Sequence, residues 1–277
     1  MIIHVPNTGS VRSTTEMEIL ERPLEWLRAF QEGWLSNFEK TGEPDWSLYT
    51  HAQNHLIPNS RGINLSQSRV LLISTAGVYY AKKQKPFQNN YPLGDYSIRT
   101  IPFNADPHHL VFSHPSFNDE YVKKDTQVLL PMEHMYELSN EGIIGSLVPV
   151  VVSFSGFLPH AIRLVKELVP AILRVAKEYN AHAAMIIPAG TLCIQSAGLV
   201  ARALEVNNIA TTLTTWDPDM AYMCAPPRLT TTYLPAGSPL GLPNDTAQQR
   251  RVLTATLKLL ELNSPTGIIY LNESSKI

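Results

Sequence analysis

The order of apolar strands and amphipathic helices between residues 149 and 216 constrains the fold more than any other feature of the sequence. Apolar runs of strand length occupy 149–156, 183–187 and 209–216, and the first is rich in β-branched residues. Segments with apolar residues at helical spacing separate them. Such alternation is typical of a parallel sheet with helices on both faces. We therefore predict an α/β fold, with a doubly wound (Rossmann-like), mostly parallel sheet, flanking helices and long loop insertions.

An earlier apolar run, at 69–77, predicts one more strand of this sheet. The run ends in small residues from Ser74 to Gly77, as parallel strands do where they feed a loop at the carboxyl edge of the sheet. Ligands bind at that edge in open α/β sheets. We therefore expect a ligand site near Thr75.

The first 65 residues are predicted to form a helical arm packed on a single α/β domain that spans 66–277. Residues 14–40 carry apolar side chains at mostly helical spacing, which predicts a short lead-in and one long helix. Trp26, Phe30 and Trp34 on this helix, with Trp46 after it, indicate core packing or a subunit contact rather than a ligand cavity. The second alternative favours self-association, and we predict a homodimer.

Two long loop regions accompany the predicted strands. Residues 79–125 form a polar, Pro-rich and His-rich insertion, which we predict to be a lid or a partner surface. The C-terminal part has an ordered Pro-rich loop at 235–243 and a last amphipathic helix at 246–262, for which Asp245 is a good N-cap.

Composition and charge exclude several classes of function. The chain has 22 Lys and Arg against 24 Asp and Glu, with no basic face that would follow a phosphate backbone, so no nucleic-acid partner is predicted. The most apolar stretch, 143–159, is too interrupted to span a membrane. Two cysteines and no secretory pattern predict a cytoplasmic protein. His51 and His55 lack a third ligand nearby, and we predict neither a metal nor a cofactor.

One cysteine has a position suited to chemistry. Cys193 is predicted to lie in the first turn of a helix, after a tight turn that contains Gly190 and Thr191. Unpaired N–H groups and the helix dipole at such a position favour a thiolate. Cys193 is thus either a nucleophile or a small buried hydrophobic residue.

Pieces of sequence from about residue 69 to the C-terminus resemble one family, the selenoprotein B subunits of glycine, sarcosine and betaine reductases together with the related D-proline reductase subunit. In chain order, the pieces are 75–78 and 85–87, Gly94 and Asp95 with Ser97 and Arg99, His114 with Asn118, Asp125 and Pro131, Glu137 and Leu138 with Gly142 and Gly145, 153–156, the Cys193 stretch, 226–228, 239–241 with Pro243, and Gln248 with Gln249.

The resemblance implies a site in which this chain has lost a reactive atom. In the family, a selenocysteine precedes the helix and a cysteine follows three residues later; these positions correspond here to Gly190 and Cys193. Ile194 replaces a histidine that often follows the cysteine, and Asn118 lies near the position of a family aspartate. Because glycine has no atom that attacks a substrate, reductive C–N cleavage is predicted to be absent.

We therefore predict a non-reductive enzyme of small-molecule, specialised metabolism in which the Cys193 thiolate is a covalent nucleophile. Conjugate addition, acyl transfer and C–C bond-forming condensation all suit a thiol at a helix N-terminus. His114 and His160 are the preferred general bases, ahead of His108 and His109. The predicted substrate-binding residues are Thr75, Gly77, Tyr79, Ser153, Ser155, Gly190, Thr191 and Gln195.

Two alternatives remain open from the sequence. The chain is either a thiol/disulfide-dependent reductase subunit that uses Cys193 with Cys224, or a non-catalytic binding subunit of a larger complex. A small-molecule substrate is expected for the enzyme hypotheses.

Overall fold

The computed structural model describes residues 19–89, 91–114 and 119–275. Within them, eight strands form the main sheet and two form a small one. The strands are β1 (Arg69–Ser74), β2 (Val78–Tyr80), β3 (Arg99–Pro102), β4 (Leu110–Phe112), β5 (Ser146–Leu147), β6 (Val150–Ser153), β7 (Ala183–Ile187), β8 (Ala210–Thr215), β9 (Leu229–Tyr233) and β10 (Ile268–Ser274).

The main sheet has the order β10-β9-β8-β7-β1-β6-β3, with the short β5 also paired to β1, while β2 and β4 form the small sheet. All strand pairs of the main sheet are parallel except β3 with β6. Strands β7 and β8 are buried along their whole length, because helices cover both faces. The predicted α/β doubly wound fold is confirmed.

Nine α-helices lie in the described part of the chain. They are α1 (Pro23–Phe30), α2 (Ser36–Thr41), α3 (Glu120–Lys124), α4 (Met132–Asn140), α5 (Ala161–Arg163), α6 (Val169–Glu178), α7 (Thr191–Glu205), α8 (Pro218–Cys224) and α9 (Thr246–Lys258). π-helical segments join α1 to α2 (Gln31–Leu35) and α5 to α6 (Leu164–Leu168). The second one ends two residues before Pro170, which lies in the first turn of α6. Asp245 caps α9, since its Oδ1 accepts the N–H of Gln248 at 3.0 Å.

Several elements differ from the sequence prediction. The described N-terminal helix starts at Pro23, a favoured first helical residue, and the predicted lead-in at 14–18 lies outside the described residues. The insertion 79–125 contains β2, β3, β4 and α3 rather than loop alone. Strands β9 and β10 were not predicted. β9 reads Leu-Thr-Thr-Thr-Tyr, which lacks an apolar run although the sheet buries it.

The aromatic side chains of the N-terminal arm belong to the core. Phe30 and Trp34 are fully buried, and Trp26 nearly so. Their rings stack with centroids 5.0 Å apart for Trp26–Phe30 and 5.5 Å for Phe30–Trp34. Arg202 of α7 ties the arm down by donating from Nε to the Ile19 carbonyl at 2.9 Å. These aromatic side chains are therefore not available as a subunit contact.

A fully buried ion pair connects the end of α7 with β9 and the arm. Arg228 Nη1 donates to Glu205 Oε1 at 2.8 Å, and both side chains are inaccessible to solvent. Thr211 donates to Glu205 Oε2 from its N–H and its hydroxyl, each at 2.7 Å. Arg228 also donates to Ser60 Oγ at 3.0 Å and to the Leu262 carbonyl at 2.9 Å.

None of the helices described is both long enough and apolar enough to cross a membrane.

Candidate functional site

The candidate site lies where the winding of the sheet changes direction. β1 is central, β6 follows it on one side, and the chain then crosses to β7 on the other side. The carboxyl ends of these three strands lie side by side, and the space outside such strand ends is the usual ligand position in these folds. Thr75 directly follows β1, Gly156 lies beyond β6, and Cys193 is in the first turn of the helix after β7.

Cys193 and His114 are in contact at this edge of the sheet. Cys193 Sγ lies 2.9 Å from His114 Nε2, although 79 residues separate them. The small β2–β4 sheet brings His114 there, because β4 ends two residues before it. Gly77 allows the close approach: its φ is +62°, and a Cβ would lie 2.0 Å from the Ser113 carbonyl oxygen. Cys193 and His114, which the sequence indicated separately as nucleophile and base, are thus in direct contact.

Gly156 sets how closely the strand end approaches the sulfur. A Cβ at this position would lie 2.7 Å from Cys193 Sγ and 2.8 Å from Thr75 Cβ. Its carbonyl accepts the Ser196 hydroxyl of α7 at 2.8 Å, which fixes the strand end to the helix. Only glycine fits here without moving the thiol.

Hydrogen-bond donors surround the sulfur, yet burial dominates its acidity. The Thr75 hydroxyl and the backbone N–H groups of Gly190 and Cys193 favour a thiolate. Desolvation is the larger effect, because Cys193 has no exposed surface. It raises the pKa of the Cys193 thiol from 9.0 to about 11.

His114 is likewise held neutral by its surroundings. Burial lowers the pKa of the His114 imidazole from 6.5 to about 3. At pH 7 the pair is therefore a thiol beside a neutral imidazole, because burial disfavours both the thiolate and the imidazolium. The arrangement can accept or deliver a proton next to the sulfur.

The Thr75 hydroxyl is fully used within the protein. Its oxygen accepts the Ala189 N–H at 2.9 Å, and its single proton is directed at Cys193. Thr75→Val is expected to raise the Cys193 pKa further and to slow alkylation at a fixed pH at least about tenfold, because a hydrogen bond to a charged group contributes about 1.5–3 kcal/mol. Iodoacetamide alkylation rates followed by mass spectrometry measure the change. Thr75→Ser keeps the hydroxyl and should react as the parent does; equal rates for Val and Ser variants would contradict this role.

Other predicted substrate-binding residues have structural partners. Ser153 Oγ accepts the Val78 N–H at 2.7 Å. Gln195 binds the arm, since its Oε1 accepts the Ala52 N–H at 2.8 Å and its Nε2 donates to the Tyr49 hydroxyl at 2.9 Å.

The remaining predicted substrate-binding residues lie on different elements of the fold. Ser155 forms a backbone bridge with Ala76. Tyr79 is on β2 within the small sheet, and Thr191 is exposed at the start of α7. Of the predicted substrate-binding residues, Thr75, Gly77 and Gly190 contact or directly position the Cys193–His114 pair.

His160, the second predicted base, lies in the aromatic cluster of the arm. Its ring centroid is 5.0 Å from that of Phe30 and 5.7 Å from that of Trp26. Its Nδ1 accepts the Arg163 N–H at 3.4 Å and caps α5. Burial lowers the His160 pKa to about 4. Its contacts are those of a structural residue, whereas His109 stacks on Tyr80 in the small sheet.

The two cysteines do not face each other. Both are free and buried. Cys224 packs on Gly198, where an added Cβ would lie 2.6 Å from Cys224 Cβ. Because Gly198 follows Cys193 by five residues, it lies about 140° further around the helix. The two sulfur atoms are therefore on different sides of α7, a geometry unsuited to a disulfide.

Two ring contacts at the site could not be found from the sequence. The Phe157 ring stands edge-on to His114 at 6.4 Å, and Trp46 of the arm packs on Phe157 at 5.1 Å. Phe157 directly follows a predicted core strand, and Trp46 belongs to the aromatic group of the arm, but neither observation indicates a contact with His114. In the described part of the chain, no group of three or more His, Cys, Asp or Glu side chains is placed to hold a metal ion.

Comparison with known proteins identifies the family. No family model and no solved structure matches the chain. A curated relative, D-proline reductase subunit gamma of Acetoanaerobium sticklandii, is 31% identical over 208 residues, which are 75% of this chain and 84% of the relative. The chain belongs to the reductase selenoprotein B family. The resemblance inferred from the sequence is confirmed.

Membership in the reductase selenoprotein B family corrects the predicted function. We predicted a non-reductive enzyme because Gly190 occupies the selenocysteine position. The relative is a reductase subunit, which contradicts that hypothesis and favours the alternative of a reductase subunit.

Proposed function

We propose that this chain is a subunit of a reductase that acts on a small molecule at the Cys193–His114 site. The observation that carries the proposal is the match to a D-proline reductase subunit over most of both chains. The buried thiol–imidazole contact of 2.9 Å at the carboxyl edge of the sheet supplies a chemically suitable site.

The second reducing group comes from outside the chain. Gly190 carries no reactive atom, and Cys224 lies on a different side of α7 from Cys193. Reduction of a substrate R–X by two electrons then uses the Cys193 thiol and one thiol or selenol of a partner subunit. The products are R–H, HX and a disulfide or selenosulfide between Cys193 and the partner, which an external dithiol reduces. This stoichiometry suits a chain that works as a subunit.

His114 and the turn before α7 have separate roles in this scheme. His114 Nε2 takes the thiol proton as the sulfur reacts and returns it to the departing group. The N–H groups of Gly190 and Cys193 stabilise negative charge on the sulfur. Phe157 and Trp46 shield the pair from water on the side of the arm.

A tagged copy of the chain, isolated anaerobically from its native cells together with the proteins bound to it, tests the proposal. With D-proline as the first substrate and dithiothreitol as the dithiol, we expect substrate consumption and, in a single turnover without dithiol, a mass-spectrometric crosslink at Cys193. Cys193→Ser should abolish both results, because the hydroxyl does not form a disulfide.

Cys224→Ala is the matched control and should retain both the consumption of substrate and the crosslink at Cys193. Turnover that survives Cys193→Ser would refute the assignment of the reducing thiol. A stable assembly without any thiol oxidation, across D-proline and other small α-amino acids, would identify a non-catalytic subunit instead.

A further inference from the structure

The thiol of the site is closed off from solvent, although its proposed chemistry requires contact with other molecules. Cys193 has no exposed surface, and its sulfur lies 2.9 Å from His114 Nε2. In the proposed function, a substrate and a partner thiol must both reach this sulfur. Some part of the surrounding structure therefore has to move before either of them reacts.

The strand ends next to the sulfur are held by backbone contacts. A Cβ at Gly156 would lie 2.7 Å from Cys193 Sγ. The Gly156 N–H donates to the Thr75 carbonyl at 2.9 Å, and the Gly156 carbonyl accepts the Ser196 hydroxyl at 2.8 Å. The Thr75 hydroxyl accepts the Ala189 N–H at 2.9 Å. These contacts join the ends of β1, β6 and β7 to α7, so an opening here would disrupt both the sheet and the helix.

The backbone around Phe157 is also held on its other side. The Tyr49 hydroxyl of the arm donates to the Pro159 carbonyl at 2.8 Å and accepts from Gln195 Nε2 at 2.9 Å. The Phe157 carbonyl lies against Gly94, where a Cβ would be 2.5 Å from its oxygen. The backbone of this segment is therefore fixed before and after the phenylalanine, and motion is left to the side chain.

The Phe157 side chain is the part of this wall that moves most easily. Its ring stands edge-on to His114, with the ring centroids 6.4 Å apart, and is only partly buried. Its outer neighbour Trp46 packs on it at 5.1 Å and is 40% exposed. Rotation of the phenyl ring breaks no hydrogen bond, and side-chain rotations are much faster than the opening of a helix or a sheet.

We propose that the Phe157 ring is the gate of the Cys193 site and selects reactants by their size. In the closed position the ring covers His114, and Trp46 of the arm supports it from outside. When the ring turns away, a reactant of small cross-section reaches the sulfur while the strand ends stay in place. The inference rests on the proposed function in that Cys193 is the reacting thiol, and it adds a residue that determines specificity.

Two reagents with the same reactive group and different sizes test the gate: iodoacetamide and its N-phenyl derivative, iodoacetanilide. The chain has two cysteines, so the full-length Cys224→Ala variant carries Cys193 as its single thiol. Intact mass at timed quenches gives both alkylation rates at one pH, and iodoacetamide is expected to react faster. A change in the Cys193 pKa alters both rates by the same factor, so their ratio reports access to the sulfur.

Phe157→Ala should lower the ratio of the iodoacetamide rate to the iodoacetanilide rate at least about tenfold, because minor open states commonly have populations of only about 0.1–10% and the larger reagent depends on them more. Phe157→Leu removes less packing and should lower the ratio in the same direction. Phe157→Tyr retains the ring and should keep the parent ratio.

Phe103→Ala is the matched control. Phe103 is also partly buried, but its N–H donates to the Pro149 carbonyl at 2.8 Å, just before β6 begins and thus at the opposite edge of the sheet. It should keep the parent ratio, and circular dichroism checks that all variants fold. An unchanged ratio in both Phe157→Ala and Phe157→Leu overturns the proposal, as does an equal fall in Phe103→Ala. Alkylation needs neither a partner subunit nor turnover, so failure of the gate and failure of the proposed function are distinguishable.

Discussion

Iodoacetamide is expected to alkylate Cys193 with an apparent midpoint near pH 11, the value to which burial raises the pKa of the thiol. At pH 7 only about one molecule in 10⁴ then carries a thiolate, and the reaction should be at least about three hundredfold slower than that of an exposed cysteine with a pKa near 8.5, because burial also limits the access of the reagent to the sulfur. The Cys224→Ala background gives a single reporting thiol, and intact mass at timed quenches measures the rate.

The direction of each pKa shift follows from the fact that burial disfavours the charged form of the side chain. Desolvation costs the thiolate more than the thiol, and it likewise costs the imidazolium of His114 more than the neutral ring. The neutral pair therefore persists over the physiological range. A midpoint below pH 8 would show that Cys193 and His114 form an ion pair at rest. Addition of a substrate that lowers the midpoint would instead show activation on binding.

Arg228→Met is expected to lower the free energy of unfolding by about 3–5 kcal/mol, because it leaves the Glu205 carboxylate buried without its cation. The Thr211 donors remain, but they do not neutralise the charge. Urea denaturation followed by circular dichroism measures the loss. A double variant, Glu205→Leu with Arg228→Met, should lose less than the sum of the two single variants, since the charges are removed together.

Arg163→Met is the control for that experiment. Arg163 and Glu167 are also 2.8 Å apart, but the pair is on the surface, where the two side chains are 35% and 48% exposed. Its loss should change the free energy of unfolding by only about 0.2–1 kcal/mol. Equal losses at Arg228 and Arg163 would contradict the role assigned to the buried pair.

The apolar strands were accessible from sequence because burial on both faces requires continuous apolar runs. β1, β7 and β8 all lie within predicted strands, and the turn before Cys193 is where the strand–helix pattern placed it. β9 escaped prediction because it buries threonines instead of apolar residues; the hydroxyl of one of them, Thr230, shares a hydrogen bond of 2.6 Å with that of Thr256. The polar composition of β9 therefore gave no indication that the strand is buried.

The site was only partly predictable for a related reason. Cys193 gave a local signal, but its contact with His114 depends on a close approach at Gly77 that no local pattern encodes. Gln195 was predicted to bind substrate because of its place next to the thiol. It instead binds the Ala52 N–H of the arm, 143 residues away along the chain. Contacts between distant segments decide which polar residue remains available for a ligand.

The helix α7 gives the arm a significance beyond packing. One rigid element carries Cys193 at its start, holds the arm through Gln195 and Arg202, and ends in the buried carboxylate of Glu205. Because these attachments share fifteen consecutive helical residues, we expect detachment of the arm and exposure of the thiol to occur together, in one cooperative opening event. A change that loosens the arm is therefore expected to make the thiol more accessible as well.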